Sequence, residues 1–201
     1  MTVPAPVPLS RRERRKQTTR TALVSAALRL FDERGYAHVT VDDICAAADV
    51  SPRTFFRYFR QKDDVLMAPV TEHLEEVLAA LRERPAGEPS WAALRAALGV
   101  LAEHVDDRRD EELRIWRILQ EAPDSVAVNA RSFVDWEAAM VDQVAGRLGR
   151  PTADLAAHVL TGMALVALRA GFEQWARHGG HQPLTRHLAA AFDLVERGPG
   201  G

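Results

Sequence analysis

A single cysteine, Cys45, occurs in the 201 residues. One thiol cannot close an intrachain disulfide, so a disulfide-stapled fold is excluded and a reducing compartment fits. The opening MTVPAPVPLS lacks the charged start and apolar centre of a secretory signal. The longest apolar tract, Val159 to Phe172, is short and interrupted by Arg169, so no membrane span is expected. No strand alternation and no internal repeat appears, which leaves an all-α fold. Catalytic signatures are missing as well: there is no HExxH, no di-iron ExxH pair, no GxxxxGK[ST] and no GxSxG. His104 with Asp106 and Asp107 comes nearest to a metal or acid–base cluster, but neighbouring positions on a helix face different ways. His178, His181 and His187 could converge only through a turn at Gly179 and Gly180, and a solvated turn is the simpler expectation. No enzyme activity, cofactor or metal is therefore expected.

What the chain does contain is apolar residues enough for a core, 47% of the total, so disorder throughout is excluded. Its formal charge of −2 hides a strong asymmetry. Residues 1–62 hold twice as many Lys and Arg as Asp and Glu, while the remainder is net acidic. Position, rather than abundance, makes the first part a footprint for a polyanion.

Within that basic part, TVDDICAAADVSPRTFFRYFRQK, from Thr40 to Lys62, contains two short helical patterns joined by a tight turn. Val41, Ile44, Cys45 and Ala48 share a face of the first; Phe55 and Phe59 lie one turn apart on the second. Ser51 can cap the second helix and Pro52 can take its first position, where a missing N–H costs nothing. Arg53, Thr54, Arg57 and Tyr58 are left outward, a set suited to phosphates and base edges. Two such helices make a helix-turn-helix whose second member is the recognition helix.

The string T-V-x-x-I-x-x-A-A-x-V-S-x-x-T-F-F-x-Y-F-x-x-K resembles the DNA-binding signature of the TetR family of bacterial transcriptional regulators, supported upstream by Ala27, Leu30, Phe31 and Gly35. The resemblance implies that Arg53 and Thr54 meet bases or the groove, with Arg57 a second candidate. It implies that Tyr58, Lys62 and Thr40 grip the backbone, beside the cap Ser51. Phe56 stands where the family commonly has tyrosine; without the hydroxyl, Phe56 is expected to pack. Family resemblance further implies a homodimer on double-stranded DNA, joined through the last two long helices, and a cavity for a small effector in the C-terminal part.

The rest of the chain reads as helices. Residues 1–9, with three prolines, are expected to be a disordered arm, and residues 10–62 a DNA-binding domain opened by a helix with the stripe Leu23, Ala27, Leu30 and Phe31, stopped by Gly35. Arg11, Arg12, Arg14, Arg15 and Lys16 precede that stripe, either as a basic arm toward DNA or as a solvated helix end. Residues 63–197 form the ligand-binding and dimerisation domain, with 198–201 a flexible tail. Its first helix carries Pro69, so a break after one turn is expected. Ser90 is expected to cap a helix with the stripe Trp91, Leu94, Leu98, Leu101 and Val105. Gly149 closes the helix after Asp124, and Thr152 is expected to cap the next.

That next helix is apolar on two sides: Leu155, Val159, Met163 and Val166 on one, Leu160, Ala164, Leu168, Gly171 and Trp175 on the other. The second stripe, with Leu188 and Phe192 of the last helix, is assigned to the dimer interface. Trp116, Phe133, Trp136, Met140 and Met163 are the candidate lining of an effector cavity, with Arg114, Arg117 or His104 as polar partners and an apolar or acyl-type molecule as the occupant. Each of these apolar residues is also what an ordinary core contains. The competing reading is an all-α small-molecule-binding protein or enzyme whose helix-turn-helix is only scaffold.

Overall fold

The computed structural model of the chain describes residues 10–122, 125–152 and 154–198, with backbone alone over 125–133. The expected arm at 1–9, residues 199–201 and the side chain of Phe133 lie outside the described residues. Among those described, ten α-helices and no strand occur: α1 Arg11–Arg34, α2 Val41–Ala47, α3 Pro52–Tyr58, α4 Lys62–Leu66, α5 Ala68–Glu83, α6 Ser90–Asp107, α7 Arg109–Glu121, α8 Ser125–Leu148, α9 Leu155–Arg177 and α10 Leu184–Arg197. They form two compact units that divide between Ala68 and Pro69.

In the first unit, Ser10 caps α1 reciprocally with Glu13, and Gly35 at φ 77° ends it. Leu23, Ala27, Leu30 and Phe31 are all buried, as their spacing demands. Thr40 and Asp43 make a second reciprocal cap at α2. The turn after α2 needs a left-handed residue, and Asp49 supplies it at φ 53°. Val50 N–H then reaches back to the Cys45 carbonyl at 3.0 Å, and Ser51 caps α3 with Pro52 in its first turn.

Helix α4 closes this unit rather than opening the next. Val65 and Leu66 are buried and α4 packs on α1, which moves the boundary six residues past the expected one at Lys62. The break anticipated from Pro69 falls at Met67: the proline lacks the N–H that would continue α4 and its ring would meet the carbonyl one turn back.

The second unit is built on α6, α8, α9 and α10. Leu94, Leu98, Leu101 and Val105 of α6 meet Met140 and Val144 of α8, Ala164 and Trp175 of α9, and Leu188 and Phe192 of α10 in one buried cluster. Helices α9 and α10 run antiparallel. A Cβ on Gly171 would stand 3.3 Å from the Leu188 backbone, so glycine is what lets the two helices approach here. Asp106, at the end of α6, accepts from the backbone N–H of Thr185 at 3.1 Å and its hydroxyl at 2.9 Å, and from the N–H of Leu184, capping α10 from another helix. This is the structural use of a residue that the sequence placed beside His104 as a metal candidate.

Three sequence expectations are corrected here. Asp154, not Thr152, caps α9, accepting from Ala156 N–H at 2.9 Å; the Thr152 hydroxyl donates to Asp142 instead. Ser90 is the first residue of α6 and makes no side-chain cap. Most consequentially, the two stripes of α9 are exchanged. Ala164, Gly171 and Trp175 are buried within the chain, as are Leu188 and Phe192, and Leu160 and Leu168 pack against the same core. Leu155, Val159, Met163 and Val166 face outward, Leu155 with 77% of its surface exposed. Periodicity marks both stripes as apolar but cannot say which one the chain's own helices cover. Helix α9 is also long and apolar enough by composition to cross a bilayer, which follows from its having two apolar sides while packing on α6, α8 and α10.

Candidate nucleic-acid interface

Helix α3 has one buried and one open side. Phe55 and Phe59 are buried, their rings 5.7 Å apart, against the α2 face carrying Ile44 and Cys45. The Cys45 thiol is pushed up in pKa, first by burial and then by the nearby charge of Asp42, so at neutral pH it is a thiol in an apolar setting. On the open side Arg53 and Arg57 are exposed and Thr54 and Tyr58 half-buried. Arg57 lies over the Tyr58 ring, 5.0 Å from its centre, and donates to the phenol oxygen at 3.3 Å. Ser51 and Thr54 share a 3.1 Å hydroxyl contact at the start of the helix. The expected outward set is therefore brought together on one surface, a row of cationic and hydroxyl donors.

Two expectations at this surface change. Lys62 was expected at a phosphate, yet its Nζ donates to the carbonyls of Tyr36 at 2.8 Å and Val39 at 2.9 Å and sits 4.0 Å from the Tyr36 ring centre. Burial pushes its pKa down, and the ammonium is a bolt between α4 and the turn Tyr36–His38. Tyr36 completes the knot by donating its hydroxyl to Asp63 and packing on Phe31. Phe56, expected to pack, is 58% exposed on α3 and touches Phe55 only edge-on. Thr40 is exposed, with its hydroxyl already engaged by Asp43. The basic run from Arg11 to Lys16 is exposed along the first turns of α1.

The effector candidates of the second unit do not converge as a set. Trp136 and Met140 lie in the core, Trp116 packs against it, and Met163 faces outward with the exposed stripe of α9. Arg114 and Arg117 are on the exposed side of α7. Two polar atoms in the core of α9, Thr161 Oγ1 and Trp175 Nε1, have no hydrogen-bond partner among the described residues; the helical pattern gave no sign of either.

Residues 23–68 match the sequence family described as bacterial regulatory proteins, tetR family, and residues 88–200 match the MftR C-terminal domain. The chain belongs to the TetR family. Among its relatives, the HTH-type transcriptional regulator TcmR of Streptomyces glaucescens is 35% identical over 144 residues, a match covering 69% of this chain and 64% of TcmR. The chain thus spans a little under two thirds of that relative. The putative mycofactocin biosynthesis transcriptional regulator MftR of Mycobacterium tuberculosis is 29% identical over 189 residues, covering 94% of this chain and 95% of MftR. Thermus thermophilus FadR, a TetR-family repressor solved with lauroyl-CoA, superposes with a TM-score of 0.53 at 27% identity, covering 90% of this chain and all of that one. The matched families and these relatives are transcriptional regulators, which favours a DNA-binding regulator over the scaffold-only reading.

Proposed function

We propose that the protein is a ligand-responsive repressor of the bacterial cytoplasm that binds a palindromic operator as a homodimer and is released by a small apolar or acyl-type effector. The observation that carries the DNA half is the open side of α3, where Arg53, Thr54, Arg57 and Tyr58 stand together over a buried Phe55 and Phe59. Arg53 can donate twice to a guanine edge, Thr54 can bond a phosphate or meet a thymine methyl, and Tyr58 and the cap Ser51 lie beside them for the backbone. One recognition helix of seven residues reads few base pairs, so two-fold pairing on a palindrome supplies the remaining specificity.

The dimer is assigned to the exposed stripe of α9, Leu155, Val159, Met163 and Val166, with Leu194 of α10. From the close approach of Gly171 to Leu188, six residues back along α9 and six forward along antiparallel α10 set Leu194 near the level of Val166. Four apolar side chains at helical spacing, left 36–77% exposed by the described residues, match the surface a second copy would bury. For the effector, support comes from the apolar core beside Trp136 and Met140, the unpaired Trp175 Nε1 and Thr161 Oγ1, and the acyl ligand carried by the similar FadR.

Fluorescence anisotropy with duplexes drawn from beside the protein's own gene, across a salt series, tests the reading. Sequence-selective binding that steepens with falling salt is expected, with Arg53→Ala flattening the preference between duplexes by about 1–3 kcal/mol. Equal affinity for every duplex, or none near physiological ionic strength, would reject it. Lauroyl-CoA added to the complex is expected to release the duplex.

A further inference from the structure

Three helices of the second unit bring together side chains that lie far apart in sequence. His73 of α5, His104 of α6 and Glu112 of α7 each offer a ligand atom, and these atoms all lie within 4.8 Å of one another. Glu112 is 3% exposed, and its Oε1 lies 3.3 Å from His73 Nε2. That is long for a charge-assisted hydrogen bond, which runs to about 2.7–2.9 Å. A buried carboxylate needs strong compensation, and one imidazole at that range supplies little. The same 3.3 Å is, however, close to the edge of a tetrahedron of ligands about 2.0 Å from a central ion.

Two charged side chains already flank the third ligand. Glu76 Oε1 lies 3.3 Å from His104 Nδ1, within reach of the carboxylate–imidazole pairing found around metal ions. Arg108 reaches the other nitrogen at 3.2 Å and is also held by Glu111 at 2.8 Å, so it keeps a partner if an ion takes its place on the ring. The rings of His73 and His104 meet nearly edge to face, 6.1 Å between centres.

We propose that His73, His104 and Glu112 form a binding site for a borderline divalent transition ion such as Zn²⁺, with Glu76 as the orienting group of His104. Two imidazole nitrogens and one carboxylate oxygen suit Zn²⁺, Co²⁺ or Ni²⁺ and disfavour Mg²⁺ and Ca²⁺, which take oxygen ligands. Three protein ligands leave a fourth position for water or for an anionic group of a bound molecule. All three ligands belong to the second unit, and the site does not depend on the proposed effector chemistry.

Equilibrium dialysis of the full-length protein against ZnCl₂, followed by metal analysis, tests it, with CoCl₂ as a spectroscopic probe. The expected result is one Zn²⁺ per chain, no competition from equimolar Mg²⁺, and the visible absorption of four-coordinate Co²⁺. His73→Gln and His104→Gln should each weaken binding at least tenfold, while His178→Gln, which removes one of the C-terminal imidazoles, leaves it unchanged. His104 is only half-buried, so its variant keeps the core intact even if His73→Gln does not fold. Absence of Zn²⁺ binding by the unaltered protein, full binding by His104→Gln, or loss with His178→Gln would each overturn the assignment.

Discussion

Lys62 is the residue whose position most changes what a substitution should do. A phosphate ligand can be lost without harm to the fold, but an ammonium serving two backbone carbonyls cannot. Lys62→Met leaves the acceptors of Tyr36 and Val39 without their donor, and the expected cost is about 1–3 kcal/mol, read as a lowered melting temperature of the first unit. Normal melting with lost DNA affinity would instead make Lys62 a phosphate ligand. Phe56 behaves in the opposite sense. Its exposure predicts that Phe56→Ala changes stability by no more than about 0.5 kcal/mol, so any effect on DNA affinity there reports the interface directly. Neither outcome could be read from the motif, since the same Phe-Phe and Lys letters serve core, surface and bolt alike.

Helix ends carry the pH dependence. The Asp43 carboxyl is held below the usual carboxylate range first by the Thr40 side chain and then by the Thr40 backbone N–H. A folded-state pKa below the unfolded one contributes stability that is present above the unfolded value and lost as pH falls through the folded value. Asp43→Asn should therefore melt below the unaltered protein near neutrality, with the gap narrowing in acid; a gap that widens in acid would contradict the cap. Where α9 and α10 touch, Gly171→Val forces side-chain atoms into the Leu188 backbone and should cost about 1–3 kcal/mol despite valine's better helix propensity, measured by denaturant unfolding. Elements of this kind were unevenly legible. Helices α1 to α3 were readable because caps, stops and i,i+4 pairs are local in sequence, and the Pro69 break likewise. The cap of α9 was misread because Thr152 and Asp154 both qualify by type, and only the path of the chain selects between them. Asp106 at α10 was invisible for a plainer reason: a cap supplied across 78 residues leaves no local pattern.

The proposed dimer rests on which side of α9 the chain itself covers. Asp at Leu168 or Trp175 would be a test of the core rather than of dimerisation, because both residues are used inside one chain. Val159→Asp and Val166→Asp place charge on the open stripe and are expected to yield folded monomers with weakened operator binding, seen by light scattering and unchanged circular dichroism. Dimers of unaltered mass would move the interface elsewhere. The sequence showed that two apolar sides exist, while which of them the chain's own helices cover is a property of the packed helices. The cluster at His73, His104 and Glu112 was hidden likewise, its members lying on three helices with no shared spacing.

Asp106 sits two residues beyond His104 on α6 and grips the first turn of α10 through Leu184 and Thr185. The last turn of α6 and the first of α10 are thereby geared: a shift at one drags the other or severs that grip. The same α10 carries Leu194 of the proposed dimer surface, so Asp106 is the tie between the helix of His104 and the helix offered to a second copy.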